Sequence, residues 1–86
     1  MQVKVLYFAN LREHLGVSSE TVQVEGTLRD LLTKLHSSHS QFGEFQSILE
    51  NSSDVTISVN QEYVRDLNHL LSDQDEVAFL PPISGG

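Results

Sequence analysis

The chain has 86 residues, no cysteine and a formal net charge of −7. Its length favours one domain with a single small hydrophobic core. The missing cysteines exclude disulfides, cysteine-ligated zinc and a sulfur atom held on a side chain, and the acidic balance argues against nucleic acid as a partner.

The first predicted element is a strand close to the N-terminus. Val3, Val5 and Tyr7 alternate with other residues, which is the two-residue period of a strand. The second face of this strand becomes apolar at Leu6 and Phe8. Two interpretations remain open, namely a central strand covered on both faces or an exposed apolar patch that binds a partner.

A short helix and a second strand follow. Asn10 is predicted to cap a helical turn over residues 11–15, and Gly16 is predicted to end it in the left-handed conformation. Residues 17–25 are rich in β-branched side chains and predict a second strand. We expect this strand to pair with the first one as a hairpin.

The strongest helix signal begins at Thr27. Thr27 is a good N-cap residue, and Asp30 places a carboxylate in the first turn, where backbone N–H groups lack partners. Four leucines at helical spacing are expected to pack on the sheet: Leu28, Leu31, Leu32 and Leu35. A further irregular helical segment at the edge of the core is predicted from Phe42, Phe45, Ile48 and Leu49.

The remaining chain alternates between turns and strands. Residues 55–59 and 63–65 are predicted to be strands, and residues 67–71 are predicted to be a loop that buries its leucines. An acidic turn then leads into a last strand over residues 76–80. This order predicts an α+β fold, a mixed sheet with one main helix packed on one face.

The position of the last strand decides which side chains share a face. If it lies parallel beside the first strand, Val77 and Phe79 join Val3, Val5 and Tyr7 in the core. The other face then carries an outward patch, which we define as Leu6, Phe8, Ala78 and Leu80.

The last six residues have a different character from the rest of the chain. Pro81 and Pro82 lack the N–H group that a strand needs, so the chain leaves the sheet here. We therefore expect a globular domain over residues 1–80 and a flexible tail over residues 81–86. The tail ends in Gly85 and Gly86, which have no Cβ, so it can enter a narrow cleft and present its carboxylate to another protein.

The sequence offers no candidate for catalysis within the chain. His36 and His39 lie about one helical turn apart, but no third ligand at a fixed spacing follows, so we interpret them as a solvated helix end and not as a metal site. No pair of carboxylates or serine near a histidine suggests acid–base or nucleophilic chemistry. The chain also lacks a membrane span and a signal-peptide core, so the cytoplasm is expected.

Two segments resemble one known family. Residues 5–13 with Gly16 resemble the opening of the small subunit of molybdopterin synthase, a sulfur carrier called MoaD. Residues 59–64 and 71–86 resemble the C-terminal half of that family, and the combination of an Asp-Glu-Val-Ala-Phe strand, Pro-Pro and a terminal Gly-Gly is specific. Gly-Gly alone also fits the thiamin-pathway carrier and ubiquitin-related modifiers. The chain departs from the family at Gln74, where glycine is common.

The resemblance implies a β-grasp, ubiquitin-like fold and a sulfur-donating subunit without catalytic residues of its own. An E1-like enzyme would use ATP to adenylate the Gly86 carboxylate, and a sulfur donor enzyme would then convert it to a thiocarboxylate. The tail would enter the large synthase subunit, where sulfur passes to cyclic pyranopterin monophosphate in molybdenum cofactor biosynthesis. Two carriers on a dimer of large subunits would form a heterotetramer. The chain itself is expected to bind no cofactor and no metal.

The partner contacts predicted in this way lie on the outward face and the tail. They are Leu6, Phe8, Leu80, Pro81, Pro82, Ile83 and Ser84, with Gly85 and Gly86 as the reacting end. Three alternatives remain open: a sulfur carrier for thiamin synthesis or tRNA thiolation, a ubiquitin-like protein modifier, and a binding module with an inert tail.

Overall fold

The computed structural model describes residues 1–81. The elements along them are β1 (Gln2–Tyr7), α1 (Ala9–Leu15), β2 (Ser19–Gln23), α2 (Leu28–Ser38), α3 (Glu44–Leu49), β3 (Thr56–Val59), β4 (Glu62–Tyr63) and β5 (Glu76–Leu80). The described strands form a sheet in the order β2-β1-β5-β3-β4. β1 and β5 run parallel, and the other neighbours run antiparallel. The predicted mixed sheet of an α+β domain is therefore confirmed.

The central strands have the register that the hydrophobic alternation predicts. Val5 pairs with Val77 and Tyr7 pairs with Phe79, and all four side chains are at most 1% exposed. Leu6 pairs with Ala78 on the opposite face. Ala78 nevertheless contributes little exposed surface, because its small side chain lies on the central strand between Leu6 of β1 and Ser58 of β3.

α2 begins with the predicted capping interaction. The Asp30 N–H donates to the Thr27 hydroxyl at 3.3 Å, and the Thr27 N–H donates to the Asp30 carboxylate at 2.8 Å. The N–H groups of Leu28 and Arg29 donate to backbone carbonyls of residues 67–71, so that loop satisfies further groups at the helix N-terminus. The four predicted leucines are fully buried: Leu28, Leu31, Leu32 and Leu35.

The start of α1 differs from the prediction. Ala9 takes a left-handed conformation with φ of 52° and already begins the helix. Asn10 is therefore the second helical residue, and Phe8 occupies the N-cap position without a side-chain hydrogen bond. The predicted cap at Asn10 is wrong because the chain reverses one residue earlier. Gly16 ends the helix with φ of 76°, as predicted.

Three further differences concern strand and loop limits. β2 is shorter than the predicted residues 17–25, and the short strand predicted at residues 63–65 lies at Glu62–Tyr63. Leu71 is buried, but Leu70 is 72% exposed, so its predicted burial is wrong. Leu70 forms an isolated bridge with Thr27, and neighbouring residues of extended chain point to opposite sides. The irregular helical segment after α2 is confirmed as α3.

Candidate functional site

The chain leaves the sheet at the end of β5, beside Phe8, and the tail begins there. Leu80 pairs with Thr56 of β3, and the Phe8 N–H donates to the Phe79 carbonyl at 3.3 Å. Pro81 follows and is exposed. The tail thus starts at the C-terminal end of β5, the middle strand of the described sheet. The remaining predicted tail residues lie outside the described residues: Pro82, Ile83, Ser84, Gly85 and Gly86.

An aromatic cluster holds the end of β5 in place. The rings of Tyr7 and Phe79 stack with centroids 6.1 Å apart, and Phe45 of α3 meets Phe79 edge-on at 5.6 Å. Such pairs stabilise a core by about 0.5–1.5 kcal/mol beyond the area that they bury. Phe79 is fully buried, so the tail leaves from a rigid support two residues away.

The Tyr7 hydroxyl is the polar end of this cluster, and it contacts the partly exposed Glu20 of β2. The Tyr7 hydroxyl donates to Glu20 Oε2 at 2.5 Å, and His39 Nε2 donates to the same oxygen at 2.9 Å. Burial raises the pKa of the Tyr7 phenol far above its usual range, and the hydrogen bond to Glu20 and the charge of Glu20 raise it further. Tyr7 is therefore a neutral donor that joins β1 to β2, and not a nucleophile.

The outward face carries the predicted patch and one residue that sequence reasoning missed. Phe8 is 40% exposed, whereas Leu6 and Leu80 are half-buried. Leu6, Ala78, Ser58 and Tyr63 are paired in turn across β1, β5, β3 and β4. Paired residues point to the same side of a sheet, so Tyr63 shares the face of the outward patch. Its side chain is 67% exposed.

The family is decided by comparison with known sequences. The model of the ThiS family matches residues 5–86. The chain belongs to the ThiS family. A curated relative, the molybdopterin synthase sulfur carrier subunit of Chlamydomonas reinhardtii, is 40% identical over 100% of both chains. The protein of the same name from Homo sapiens is 37% identical, and the match covers 99% of this chain and 94% of the relative.

The fold of this ThiS-family chain also matches a solved structure. SAMP1 from Haloferax volcanii superposes with a TM-score of 0.80, at 26% identity and over 100% of both chains. The expected β-grasp fold is thereby confirmed. In the topology of this ThiS-family chain β5 lies between β1 and β3, so the described residues end at Pro81, next to the middle strand of the sheet.

The described part of this ThiS-family chain contains no group of three or more metal-ligating side chains that converge on one point. His39 is directed to Glu20 at 2.9 Å. The Nδ1 atom of His36 is buried without a hydrogen-bond partner among residues 1–81. Within the same residues, no helix combines the length and apolarity that crossing a bilayer demands.

Proposed function

We propose that the chain is the sulfur-carrier subunit of a molybdopterin synthase. The observation that carries this proposal is the 40% identity to a curated sulfur carrier subunit over the full length of both chains. Two features of the chain support it, the terminal Gly-Gly and the exposed apolar side chains beside the exit of β5. In this proposal residues 1–80 form the domain that supports the tail, and residues 81–86 present the carboxylate that carries sulfur.

The reaction begins at the terminal carboxylate of Gly86. A carboxylate is a poor electrophile, and an E1-like enzyme activates it by attaching AMP from ATP, with pyrophosphate as the leaving group. Sulfide-level sulfur from a donor enzyme then attacks the acyl carbon, and AMP leaves. The product is a C-terminal thiocarboxylate. The carrier contributes the acyl group and its presentation, and its partners contribute the catalytic groups.

The composition of the chain suits this chemistry. The chain has no cysteine, so the terminal acyl group is the place where it can hold sulfur covalently. Gly85 and Gly86 carry no Cβ, which lets the backbone approach a nucleotide and a catalytic base closely. Pro81 and Pro82 restrict the start of the tail, which reduces the entropy lost when a partner orders it.

The large synthase subunit is the proposed receiver. Phe8 and Tyr63 are exposed on the face that also carries the half-buried Leu80, and exposed aromatic side chains of this kind favour a protein partner. The tail enters the large subunit, and sulfur passes to cyclic pyranopterin monophosphate. Since the carrier has a net charge of −7, we expect a basic surface around the receiving cleft. Two carriers on a large-subunit dimer form a cytoplasmic heterotetramer.

Intact-mass analysis tests the chemistry at Gly86. The purified chain is incubated with the activating enzyme, ATP and a sulfide source, and we expect the mass increase that exchange of one oxygen for sulfur gives. Fragmentation should locate the increase at the C-terminal residue. A chain that lacks Gly86 is the matched control. An unchanged mass, under conditions that convert another carrier, would contradict the proposal.

A second candidate function is protein modification. The structural similarity to SAMP1 favours it, since that name denotes a small archaeal modifier protein. In this case the activated Gly86 is transferred to lysine side chains of other proteins. Conjugates that carry the tail on lysine in cell extracts would support modification, and a thiocarboxylate without such conjugates would favour the synthase role.

A further inference from the structure

A groove lies beside Pro81, the residue at which the tail begins. Its volume is about 240 Å³. The apolar part of its wall consists of Phe8, Leu11, Phe42 and Val55. Phe8 is 40% exposed and also belongs to the outward patch, so the groove borders the face that we propose as the docking surface.

The size of the groove limits what it can hold. Sites for small molecules and cofactors usually have volumes of about 300–1,000 Å³, and this groove is smaller. It suits a single long side chain of another protein. A side chain with an apolar stem gains free energy when the stem covers the aromatic and aliphatic wall. The polar residues of the wall decide which head group such a side chain carries.

The wall of the groove contains one acidic residue and neither lysine nor arginine. The acidic residue is Glu44 in the first turn of α3. Its Oε1 accepts a hydrogen bond from the Ser53 hydroxyl at 2.8 Å. None of the salt bridges within residues 1–81 involves Glu44. The Glu44 carboxylate therefore gives the groove a negative charge that no lysine or arginine of its wall neutralises.

His14 adds a hydrogen-bond acceptor to the same wall. Its Nδ1 lies 2.8 Å from the Asn10 carbonyl oxygen, and Nδ1 must donate there because a carbonyl oxygen only accepts. In the neutral ring Nε2 then carries the lone pair and is an acceptor. A carboxylate and an imidazole lone pair in one wall favour a positively charged group that donates hydrogen bonds. The aromatic rings of the wall favour the same charge, since a cation is attracted to the face of such a ring.

We propose that the groove receives one lysine side chain of the large synthase subunit, an inference that rests on the function proposed above. Lysine suits this wall better than arginine. Arginine pairs most strongly through two parallel hydrogen bonds to a carboxylate, and one oxygen of Glu44 already accepts from Ser53. The lysine ammonium is a compact charge with three donors, which Glu44 Oε2 and His14 Nε2 can share. Its four-carbon stem lies along the apolar wall.

The position of the groove brings this partner to it. Five residues follow Pro81, and five residues of extended chain span at most about 18 Å. A subunit that holds the Gly86 carboxylate therefore comes within that distance of Pro81, which lines the groove. The charged contact at the groove then lies between the docking face and the start of the tail. Complementary charges at such a place fix the orientation in which two proteins bind.

Neutral variants of two glutamates test the proposal. Glu44→Gln removes the charge and keeps an oxygen that can accept from Ser53, so the fold should persist. Glu50→Gln is the matched control, because Glu50 is exposed at the C-terminal end of α3 and does not line the groove. Both variants change the net charge by the same amount. In calorimetric titration into the large subunit, we expect Glu44→Gln to weaken binding about 10-fold or more and Glu50→Gln to change it less than about 2-fold.

Carbodiimide cross-linking of the wild-type complex identifies the side chain that occupies the groove. The reagent activates a carboxylate, an amine in contact with it forms an amide, and the carbodiimide takes up the water that is lost and leaves as a urea. Mass spectrometry of the digested complex should show Glu44 joined to a lysine of the large subunit. Glu50 should not be joined to it.

Two results would overturn the inference. One is an equal affinity of Glu44→Gln and Glu50→Gln for the large subunit, and the other is a cross-linked complex in which Glu44 is not joined to a lysine. Both results leave the proposed function intact, because the wild-type chain still binds the large subunit and Gly86 still accepts sulfur. A wild-type chain that fails to bind the large subunit would overturn the proposed function and this inference together.

Discussion

The turn before β5 shows what one backbone conformation demands of a residue. Gln74 has φ of 70°, a conformation that glycine adopts readily and other residues adopt at a cost of about 1–2 kcal/mol. Its N–H donates to the Gln2 carbonyl at 2.7 Å, which fixes the turn against β1. The turn therefore keeps a glycine-like conformation although the sequence has glutamine there.

The variant Gln74→Gly should raise the free energy of unfolding by about 1 kcal/mol, because it removes the steric cost of the left-handed conformation. Urea denaturation measures the change as a higher midpoint with an unchanged slope. Gln74→Ala is the matched control, since alanine keeps the Cβ and should give no such increase. An equal effect of both variants would show that the side chain, and not the backbone, decides the stability of this turn.

The raised pKa of Tyr7 predicts how the stability of the domain changes at alkaline pH. The pKa of its phenol is raised in the folded chain above the ordinary value of about 10, chiefly by burial. Its contribution to stability is therefore complete below about pH 10 and is lost as the pH rises, because only the unfolded chain ionises readily. The free energy of unfolding should fall more steeply above about pH 10 in the wild type than in Tyr7→Phe. Parallel pH profiles of the two proteins would contradict this assignment.

At the scale of elements, local chemistry predicted α2 and the central strands well. Capping residues, leucine spacing and two-residue alternation each depend on neighbours in the sequence, and they correctly indicated α2, β1 and β5. The start of α1 could not be predicted in this way. Its first turn depends on Ala9 in a left-handed conformation, which alanine has no local reason to adopt. The residue before it is held beside β5 by the hydrogen bond from the Phe8 N–H to the Phe79 carbonyl, a contact that is distant in the sequence.

The cap of α2 provides a prediction at this scale. Thr27→Ala should lower the free energy of unfolding by about 1 kcal/mol, because it removes the hydroxyl that accepts from the Asp30 N–H. Thr27→Ser keeps the hydroxyl and should retain most of the stability. Thermal or urea unfolding distinguishes them, and equal losses in the two variants would exclude the cap as the cause.

The stability that the same cap contributes depends on pH. Hydrogen bonds from Thr27 hold the pKa of Asp30 below its ordinary value. The stabilising contribution of this carboxylate is therefore present at neutral pH and is lost as the pH falls through the depressed pKa. Thr27→Ala should reduce the difference in stability between neutral and acidic solution, and circular dichroism along an acid titration would measure it.

At the scale of the whole molecule, the sheet brings together residues that the sequence keeps apart. The outward patch followed from alternation in β1 and β5, because both strands are long enough to show a period. The place of Tyr63 on this face could not be predicted from the sequence. β4 has only two residues, and three successive strand pairings connect Tyr63 to Leu6. The groove of about 240 Å³ beside Pro81 could not be predicted either, because α1, residues 42–44 and Val55 meet there only in the folded chain.

The proposed docking of the outward face on a large synthase subunit predicts which substitutions weaken binding. Phe8→Ser and Tyr63→Ser should each weaken binding about 10-fold or more, since buried aromatic side chains often dominate the energy of an interface. Leu70→Ser is the matched control, because Leu70 is at least as exposed as the two aromatic residues but lies beside Thr27 at the N-terminus of α2. Calorimetric titration of the carrier into the large subunit measures these affinities. Equal weakening by Leu70→Ser, or no effect of the aromatic substitutions, would exclude this face as the docking surface.

The central claim is that the chain acts through its own C-terminal carboxylate. The most direct test is the rate of molybdopterin formation from its precursor in a reconstituted system with the large subunit, the activating enzyme, ATP and a sulfur donor. The account predicts formation with the wild-type chain and none with a variant that carries one additional residue after Gly86, although that variant folds and binds the large subunit. Formation at the wild-type rate by the extended variant would contradict the claim.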